Sequence, residues 1–121
     1  MEKHVETALL GAFQAQARDA ANLLKAMSNE CRLLVLCHLA KEGELSVGQL
    51  VGRVELSQSA LSQHLAKLRD EGLVATRKEA QTVFYRVCDP KAGQLLALLH
   101  DLFCPELGRG PRAKSPEMPN P

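Results

Sequence analysis

Two capped helical segments followed directly by a hairpin pattern constrain the fold of this chain most strongly. Ser46 precedes VGQLVGRV, and Ser57 precedes QSALSQHLAKLRDEG, so each serine is placed to cap a helix with apolar residues at helical spacing. The next segment, LVATRKEAQTVFYRV, has two runs rich in β-branched and aromatic residues around the polar tip EAQ, which is typical of a β-hairpin. This order predicts a helix-turn-helix with an added hairpin, the wing.

The residues before this unit have the pattern of further helices. From about Val5 to Met27 apolar residues recur at helical spacing, which predicts one broken helix or two consecutive helices, with Gly11 as the candidate break. Ser28 is placed as the N-cap of the next helix, which should run to about Lys41. The predicted buried stripe of that helix consists of Leu33, Leu36, Cys37 and Ala40.

The C-terminal part divides into a helix and a tail. Pro90 suits a first helical turn, and the apolar segment from Ala92 to Phe103 predicts a last helix. Five prolines in the seventeen residues from Pro105 onward predict a flexible tail. We therefore expect a mainly α winged helix-turn-helix domain with a small β-hairpin over residues 1–104, and a Pro-rich tail over residues 105–121.

Composition excludes several classes of protein. The chain has 121 residues, 45% of them hydrophobic and 24% charged, as in an ordinary soluble domain. No stretch approaches the roughly 20 apolar residues that span a bilayer, and the N-terminus lacks the pattern of a secretory signal, so we expect a cytoplasmic protein without a membrane partner. In that reducing compartment, any bridge among the four cysteines should be regulatory.

The second helix of the helix-turn-helix has one polar side that could enter a DNA groove. Leu61, Leu65 and Leu68 point the opposite way. Candidate contacts to base edges are the small hydrogen-bonding residues Gln58, Ser59, Ser62 and Gln63. Candidate phosphate contacts are Lys67, Arg69, Arg77 and Lys78. His64, beside the apolar stripe, fits a packed histidine as well as a phosphate contact, and the whole polar side also fits a merely solvated helix.

The residues LSQSALSQHLAKLRDEGLV, followed by TRKEAQTVFY, resemble the recognition helix and wing of the ArsR/SmtB family of bacterial winged-helix repressors. The resemblance covers roughly Ala20 to Cys104 and is closest to the thiol-based HlyU/BigR/SqrR group, which senses reactive sulfur. It implies a homodimer that pairs through its first and last helices and binds an inverted-repeat operator in double-stranded DNA. It also implies an inducer that weakens this binding.

The metal sites known in this family lack their ligands here. Soft-metal sensors carry a Cys-x-Cys where this chain has Ser46, Val47 and Gly48. Zinc sensors use Asp and His pairs on the last helix; Asp89 is present, but Lys91 and Leu102 cannot take the other ligand positions. We therefore expect neither a metal nor a cofactor.

The cysteines are the remaining candidates for sensing. Cys37 and Cys104 match the two cysteines that the thiol-based group uses, and the resemblance implies that a sulfane-sulfur donor or oxidant links them through a disulfide or polysulfide. An imidazolium at His100, one turn before Cys104, would favour its thiolate. Cys31 lies in the first turn of its helix and is a possible accessory thiol, whereas Cys88 reads as structural or incidental.

Other interpretations remain open at this stage. Buried free cysteines are often inert small hydrophobes, and Cys31, Cys37 and Cys104 could instead assemble an arsenite or metal sensor. The same fold could relieve silencing as an antirepressor by displacing another DNA-bound protein. A cysteine enzyme is the least supported class, since the chain has no Gly-rich phosphate loop, metal motif or triad spacing, and we predict no enzyme.

Overall fold

The computed structural model describes residues 2–104, with side chains described from residue 9 onward. Along this part of the chain the elements are α1 (Glu2–Met27), α2 (Glu30–Glu42), β1 (Leu45–Ser46), α3 (Val47–Arg53), α4 (Gln58–Asp70), β2 (Val74–Glu79), β3 (Thr82–Val87) and α5 (Pro90–Phe103). The mainly α fold with a β-hairpin is the one predicted. The Pro-rich tail predicted for residues 105–121 lies outside the described residues.

The core is almost entirely aliphatic and is shared by the sheet and all five helices, with α1 contributing its last two residues. Its fully buried members include Val35, Leu36, Leu39, Leu50, Leu61, Leu65, Leu68 and Ala92. Each buried leucine contributes about 1.5–3 kcal/mol of transfer free energy, so the helical leucine spacing holds the domain together. The predicted buried side of α4 is confirmed, because Leu61, Leu65 and Leu68 are all completely inaccessible to solvent.

Helix α1 is continuous, so the predicted break at Gly11 is wrong. The helix runs from Glu2 to Met27 without interruption. A glycine inside a helix costs only about 1 kcal/mol relative to alanine, and the surrounding Ala, Leu and Gln residues are good helix formers. The low helix propensity of Gly11 is therefore too small an effect to end the helix at this position.

Helix α2 begins one residue later than predicted. Its N-cap is Asn29 and not Ser28: the Asn29 Oδ1 accepts a hydrogen bond from the Arg32 N–H at 3.0 Å, whereas the Ser28 hydroxyl donates to the Lys25 carbonyl. Asparagine and serine cap equally well, so residue type could not decide between neighbours. The helix ends at Gly43, whose φ of 91° favours glycine.

The buried stripe of α2 is also rotated relative to the prediction. Val35, Leu36 and Leu39 are its fully buried residues, Cys37 is half-buried, and Ala40 is exposed. The helix therefore inserts between the sheet and α5 with Cys37 at the edge of the core and not in it.

The helix-turn-helix has the predicted caps. Ser46 and Gln49 form a capping box at the start of α3, since the Gln49 N–H donates to Ser46 Oγ at 3.2 Å and the Ser46 N–H donates to Gln49 Oε1 at 2.9 Å. Ser57 caps α4 by accepting a hydrogen bond from the Ala60 N–H at 3.1 Å.

The wing belongs to a three-stranded antiparallel sheet in the order β1-β3-β2. The predicted hairpin is confirmed: Val74 pairs with Val87 and Glu79 with Thr82 around a turn in which Ala80 has a φ of 56°. Strand β1 was not predicted. It has only two residues, with Leu45 opposite Tyr85 and Ser46 opposite Phe84, which is too short for an alternating pattern.

Helix α5 starts as predicted. Pro90 occupies the first turn, and the Asp89 carboxylate accepts a hydrogen bond from the Lys91 N–H at 2.9 Å. Across the described residues, the helices are all too short or too polar to cross a membrane.

Candidate functional site

Helix α4 presents a mostly polar side to solvent. Its exposed residues include Gln58, Ser59, Ser62, Gln63 and Lys67, all of which were predicted to face DNA. His64 is half-buried, at the border between the polar side and the core. These side chains give the helix a small, hydrogen-bonding surface without a bulky residue in its first turn, as entry into a major groove requires.

The core fixes the position of this polar side. The three leucines of α4 are fully buried, and Leu50 and Val54 of the preceding helix pack into the same core. Val54 also ends α3 by donating its N–H to the Leu50 carbonyl at 3.0 Å. The polar side of α4 is therefore mounted on a rigid scaffold, which favours recognition of a fixed partner geometry.

The wing carries two of the predicted phosphate contacts, and the structure gives them different surroundings. Lys78 is exposed on β2. Arg77 is also partly exposed, but its guanidinium pairs with the carboxylates of Glu44 and Glu79 at 2.8 and 2.9 Å. Glu44 was missed by the sequence-based interpretation, because it is distant in sequence from Arg77 and the short strand β1 gave no sign that they meet.

Cys37 and Cys104 lie on two helices that pack against each other, α2 and α5. Cys37 is half-buried on α2, and Cys104 is half-buried as the C-cap of α5, where its N–H donates to the His100 carbonyl at 2.8 Å. Burial raises the pKa of the Cys37 thiol, and a negative charge on Cys104 raises that pKa further.

The other two cysteines lie in different surroundings. Cys31 is half-buried in the first turn of α2, as predicted. Cys88 is exposed just after β3, and its thiol donates a hydrogen bond to the Gly72 carbonyl at 3.4 Å. All four cysteines are reduced in this structure.

A groove of about 640 Å³ runs between α2 and α5 beside Cys37. Its walls include Cys37, Lys41, Cys88, Ala97 and His100. The Nε2 atom of His100 is buried and has no hydrogen-bond partner among the described residues. A small reagent can therefore reach the region of Cys37 from solvent through this groove.

Among the side chains of residues 9–104, no three His, Cys, Asp or Glu residues come together in a way that could hold a metal ion within one chain.

Large apolar side chains remain exposed on the outer helices. They lie on α1, α2 and α5 and comprise Leu9, Leu10, Phe13, Leu24, Leu34, Leu98, Leu102 and Phe103. Exposed apolar side chains of this size are candidates for an interaction surface. They include residues of both helices that were predicted to pair in a dimer, α1 and α5.

Comparison with known proteins gives a consistent result. Residues 29–76 match the family described as "Bacterial regulatory protein, arsR family". The transcriptional activator HlyU of Vibrio cholerae is 56% identical over 92 residues, which are 76% of this chain and 84% of that protein.

Solved structures agree with this match. The structure of reduced HlyU from Vibrio cholerae superposes with a TM-score of 0.73 at 56% identity, over 77% of this chain and 97% of the other. The transcriptional repressor BigR from Xylella fastidiosa gives a TM-score of 0.71 at 41% identity, over 78% and 95% of the two chains.

Proposed function

Because the chain belongs to the ArsR family of bacterial transcriptional regulators, we propose that it is a repressor that leaves its operator when Cys37 and Cys104 become linked through sulfur. The observation that carries this proposal is the packing of α5 against α2, with Cys37 half-buried in the middle of α2 and Cys104 half-buried at the end of α5. A bridge between them would fasten the end of α5 to the middle of α2.

The sulfur chemistry can proceed in two balanced steps. In the first, the Cys104 thiolate attacks the outer sulfur of a persulfide donor R–S–SH, the S–S bond of the donor breaks, and RS⁻ leaves. In the second, the Cys37 thiolate attacks the inner sulfur of the Cys104 persulfide and HS⁻ leaves, which forms a disulfide. Polysulfide donors would leave additional sulfur atoms in the bridge. The raised pKa of Cys37 disfavours its thiolate, so the first attack is assigned to the other cysteine.

DNA binding in this proposal depends on two copies of α4. We infer that the exposed apolar side chains of α1 and α5 pair two chains, since seven large apolar residues on these two helices are left exposed in the single chain. Two recognition helices would then enter successive major grooves about 34–36 Å apart. The relevant operator is therefore an inverted repeat.

The bridge and the dimer share helix α5. Cys104 ends this helix, and the exposed residues Leu98, Leu102 and Phe103 lie in the two turns before it. A bridge that pulls the end of α5 toward α2 would displace these dimer contacts and change the separation of the two α4 helices. Such a change lowers operator affinity without touching any residue that contacts DNA.

A selection experiment tests the DNA-binding part. Reduced protein should enrich duplexes with an inverted repeat from a random library, and footprints should cover two half-sites one helical turn apart. Enrichment of no sequence at moderate salt would contradict the proposal.

Intact mass tests the thiol part. After treatment with sodium tetrasulfide, the wild-type chain should lose two hydrogens and gain zero or more whole sulfur atoms, and Cys37→Ser and Cys104→Ser should not form this product. Cys88→Ser is the matched control and should still form it. A bridge that persists in either of the first two variants would show that the pairing is wrong.

The proposed repression has one specific alternative, which is antirepression. The 56% identical HlyU is named a transcriptional activator, whereas BigR is named a repressor. Placing the selected operator upstream of a reporter decides between them: repression lowers transcription from a bare promoter, whereas antirepression has no effect until a silencing protein is also present. Titration of the reduced protein with arsenite or Zn²⁺ tests the metal-sensor alternative, in which binding should require Cys31, Cys37 and Cys104.

A further inference from the structure

All three guanidinium nitrogens of Arg77 donate hydrogen bonds to other residues of the chain. Its Nε donates to Glu44 Oε2 at 2.8 Å, and its Nη2 donates to Glu44 Oε1 at 2.9 Å, which is a bidentate pair. Its Nη1 donates to Glu79 Oε1 at 2.9 Å. The guanidinium also lies 4.7 Å from the centre of the Phe84 ring, within the range of a cation–π contact.

These contacts link β2 to the residue just before β1, although β3 lies between these two strands in the sheet. Arg77 lies on β2 directly opposite Phe84 of β3, and Phe84 in turn lies opposite Ser46 of β1. Glu44 comes two residues before Ser46, so its side chain lies on the same side of the sheet. Arg77 therefore reaches over the Phe84 ring and fastens the outer strand of the wing to the residue that leads into β1.

The guanidinium of Arg77 is already paired with carboxylates, so it has little capacity to bind a phosphate. It pairs with two carboxylates, so all three of its nitrogens already have acceptors within the chain. The hydrogen bond from Arg77 lowers the pKa of Glu44, which keeps that carboxylate ionised at neutral pH. By contrast, the neighbouring Lys78 is exposed and forms no ion pair with any residue that the structure describes.

We propose that Arg77 is a positioning residue of the wing, which Glu44 and Phe84 hold in place, and that it does not contribute its charge to phosphate binding. Of these two adjacent basic residues, Lys78 is the one that offers its charge to the DNA backbone. This inference rests on the proposed DNA-binding function and assigns different roles to two adjacent basic residues that the sequence alone treats alike.

The salt dependence of binding separates the two roles. The probe is a labelled duplex that the reduced wild-type protein selects from a random library, and its affinity is measured across a KCl series. Each lost phosphate contact reduces the slope of log affinity against log salt concentration by about 0.9. Lys78→Gln should show this reduction, whereas Arg77→Gln should weaken binding at every salt concentration with the wild-type slope.

Two further variants test the pairing itself. Glu44→Gln should weaken binding, and the double variant should be no weaker than Arg77→Gln alone, because Arg77→Gln already breaks the contact with Glu44. Arg77→Lys should not restore affinity, since an ammonium cannot form the bidentate pair. Glu44→Gln also provides a second route to the same result should Arg77→Gln fold poorly.

The outcomes that overturn the inference are distinct. A slope reduced in Arg77→Gln as much as in Lys78→Gln, full rescue by Arg77→Lys, or tighter binding by Glu44→Gln would each identify Arg77 as a phosphate contact. A wild-type protein that binds no duplex would instead overturn the proposed DNA-binding function, and this inference with it.

Discussion

A negative charge on Cys104 at the end of α5 raises the pKa of Cys37 in the middle of α2. Burial is the larger cause of the raised pKa, and the charge on Cys104 adds to it. A modification that removes the charge on Cys104 should therefore also change the reactivity of the Cys37 thiol.

The first prediction concerns the alkylation of Cys37 by iodoacetamide. Its rate should rise with pH around a midpoint above that of the same thiol in the denatured chain, because burial is the larger cause of the raised pKa. Cys104→Ser should lower the midpoint only partly, since it removes the smaller cause. Peptide mass spectrometry reads out the rates, and Cys88→Ser is the control that should leave the midpoint unchanged.

The raised pKa of Cys37 also makes the free energy of unfolding depend on pH. The folded state favours the neutral Cys37 thiol, so this contribution is complete below the pKa of the unfolded thiol, about 8.5, and is lost as pH rises through the folded value. The free energy of unfolding should therefore fall more steeply above that pH in the wild type than in Cys37→Ser. Equal slopes, together with an unshifted alkylation midpoint, would contradict the assigned surroundings of Cys37.

The second prediction concerns the apolar face. Leu102 is 64% exposed and Phe13 is 69% exposed, so a charge at either position costs little within one chain. Leu102→Glu and Phe13→Glu should convert a dimer to monomers in sedimentation experiments and weaken operator binding. Gln94→Glu, exposed on α5, is the control for added charge. An unchanged oligomeric state in both apolar variants would mean that this face does not pair two chains.

The third prediction separates base contacts from phosphate contacts on α4. Gln63→Ala should weaken binding to the selected duplex by about 1–3 kcal/mol, the usual cost of a lost bidentate base contact, while leaving non-specific binding unchanged. Lys67→Gln should weaken binding to all duplexes and reduce the salt slope by about 0.9. Arg18→Gln, on the exposed side of α1, removes one charge elsewhere as a control. Equal effects of Gln63→Ala on specific and non-specific duplexes would argue against base recognition.

The fourth prediction concerns the cap of α4. Ser57→Ala removes the acceptor for the Ala60 N–H and should lower the free energy of unfolding by about 1 kcal/mol in urea titrations. Ser62→Ala, exposed in the same helix, removes no cap and should have little effect. If the two variants are equally stable, the hydrogen bond from Ala60 contributes nothing measurable.

Local signals predicted most of the fold. The caps at Ser46 and Ser57, the glycine at the end of α2, and the leucine spacing of α4 each depend on residues within one or two turns. Such short-range chemistry is visible in sequence. Two predictions show the limit of local signals. The N-cap of α2 was misplaced because Ser28 and Asn29 have similar capping preferences, and the break predicted at Gly11 is absent because the helix propensity of one glycine has only a small energetic effect.

The sites depended on contacts that no local pattern contains. Strand β1 exists because β3 is available to pair with it, and Glu44 meets Arg77 only because that pairing forms. The pairing of Cys37 with Cys104 came from a family resemblance and not from spacing. The different roles proposed for Arg77 and Lys78 could be inferred only from the folded wing, since the two residues are adjacent and carry the same charge.

The most direct measurement compares the operator affinity of one protein in two thiol states. Reduced wild-type protein and the same protein treated with sodium tetrasulfide are titrated against the selected duplex at one fixed salt concentration. We predict that treatment lowers affinity by roughly tenfold or more, within the usual range of coupling between two sites, and that Cys37→Ser and Cys104→Ser stay bound. A treated wild-type protein that carries the bridge and retains the affinity of the reduced protein would contradict the thiol switch.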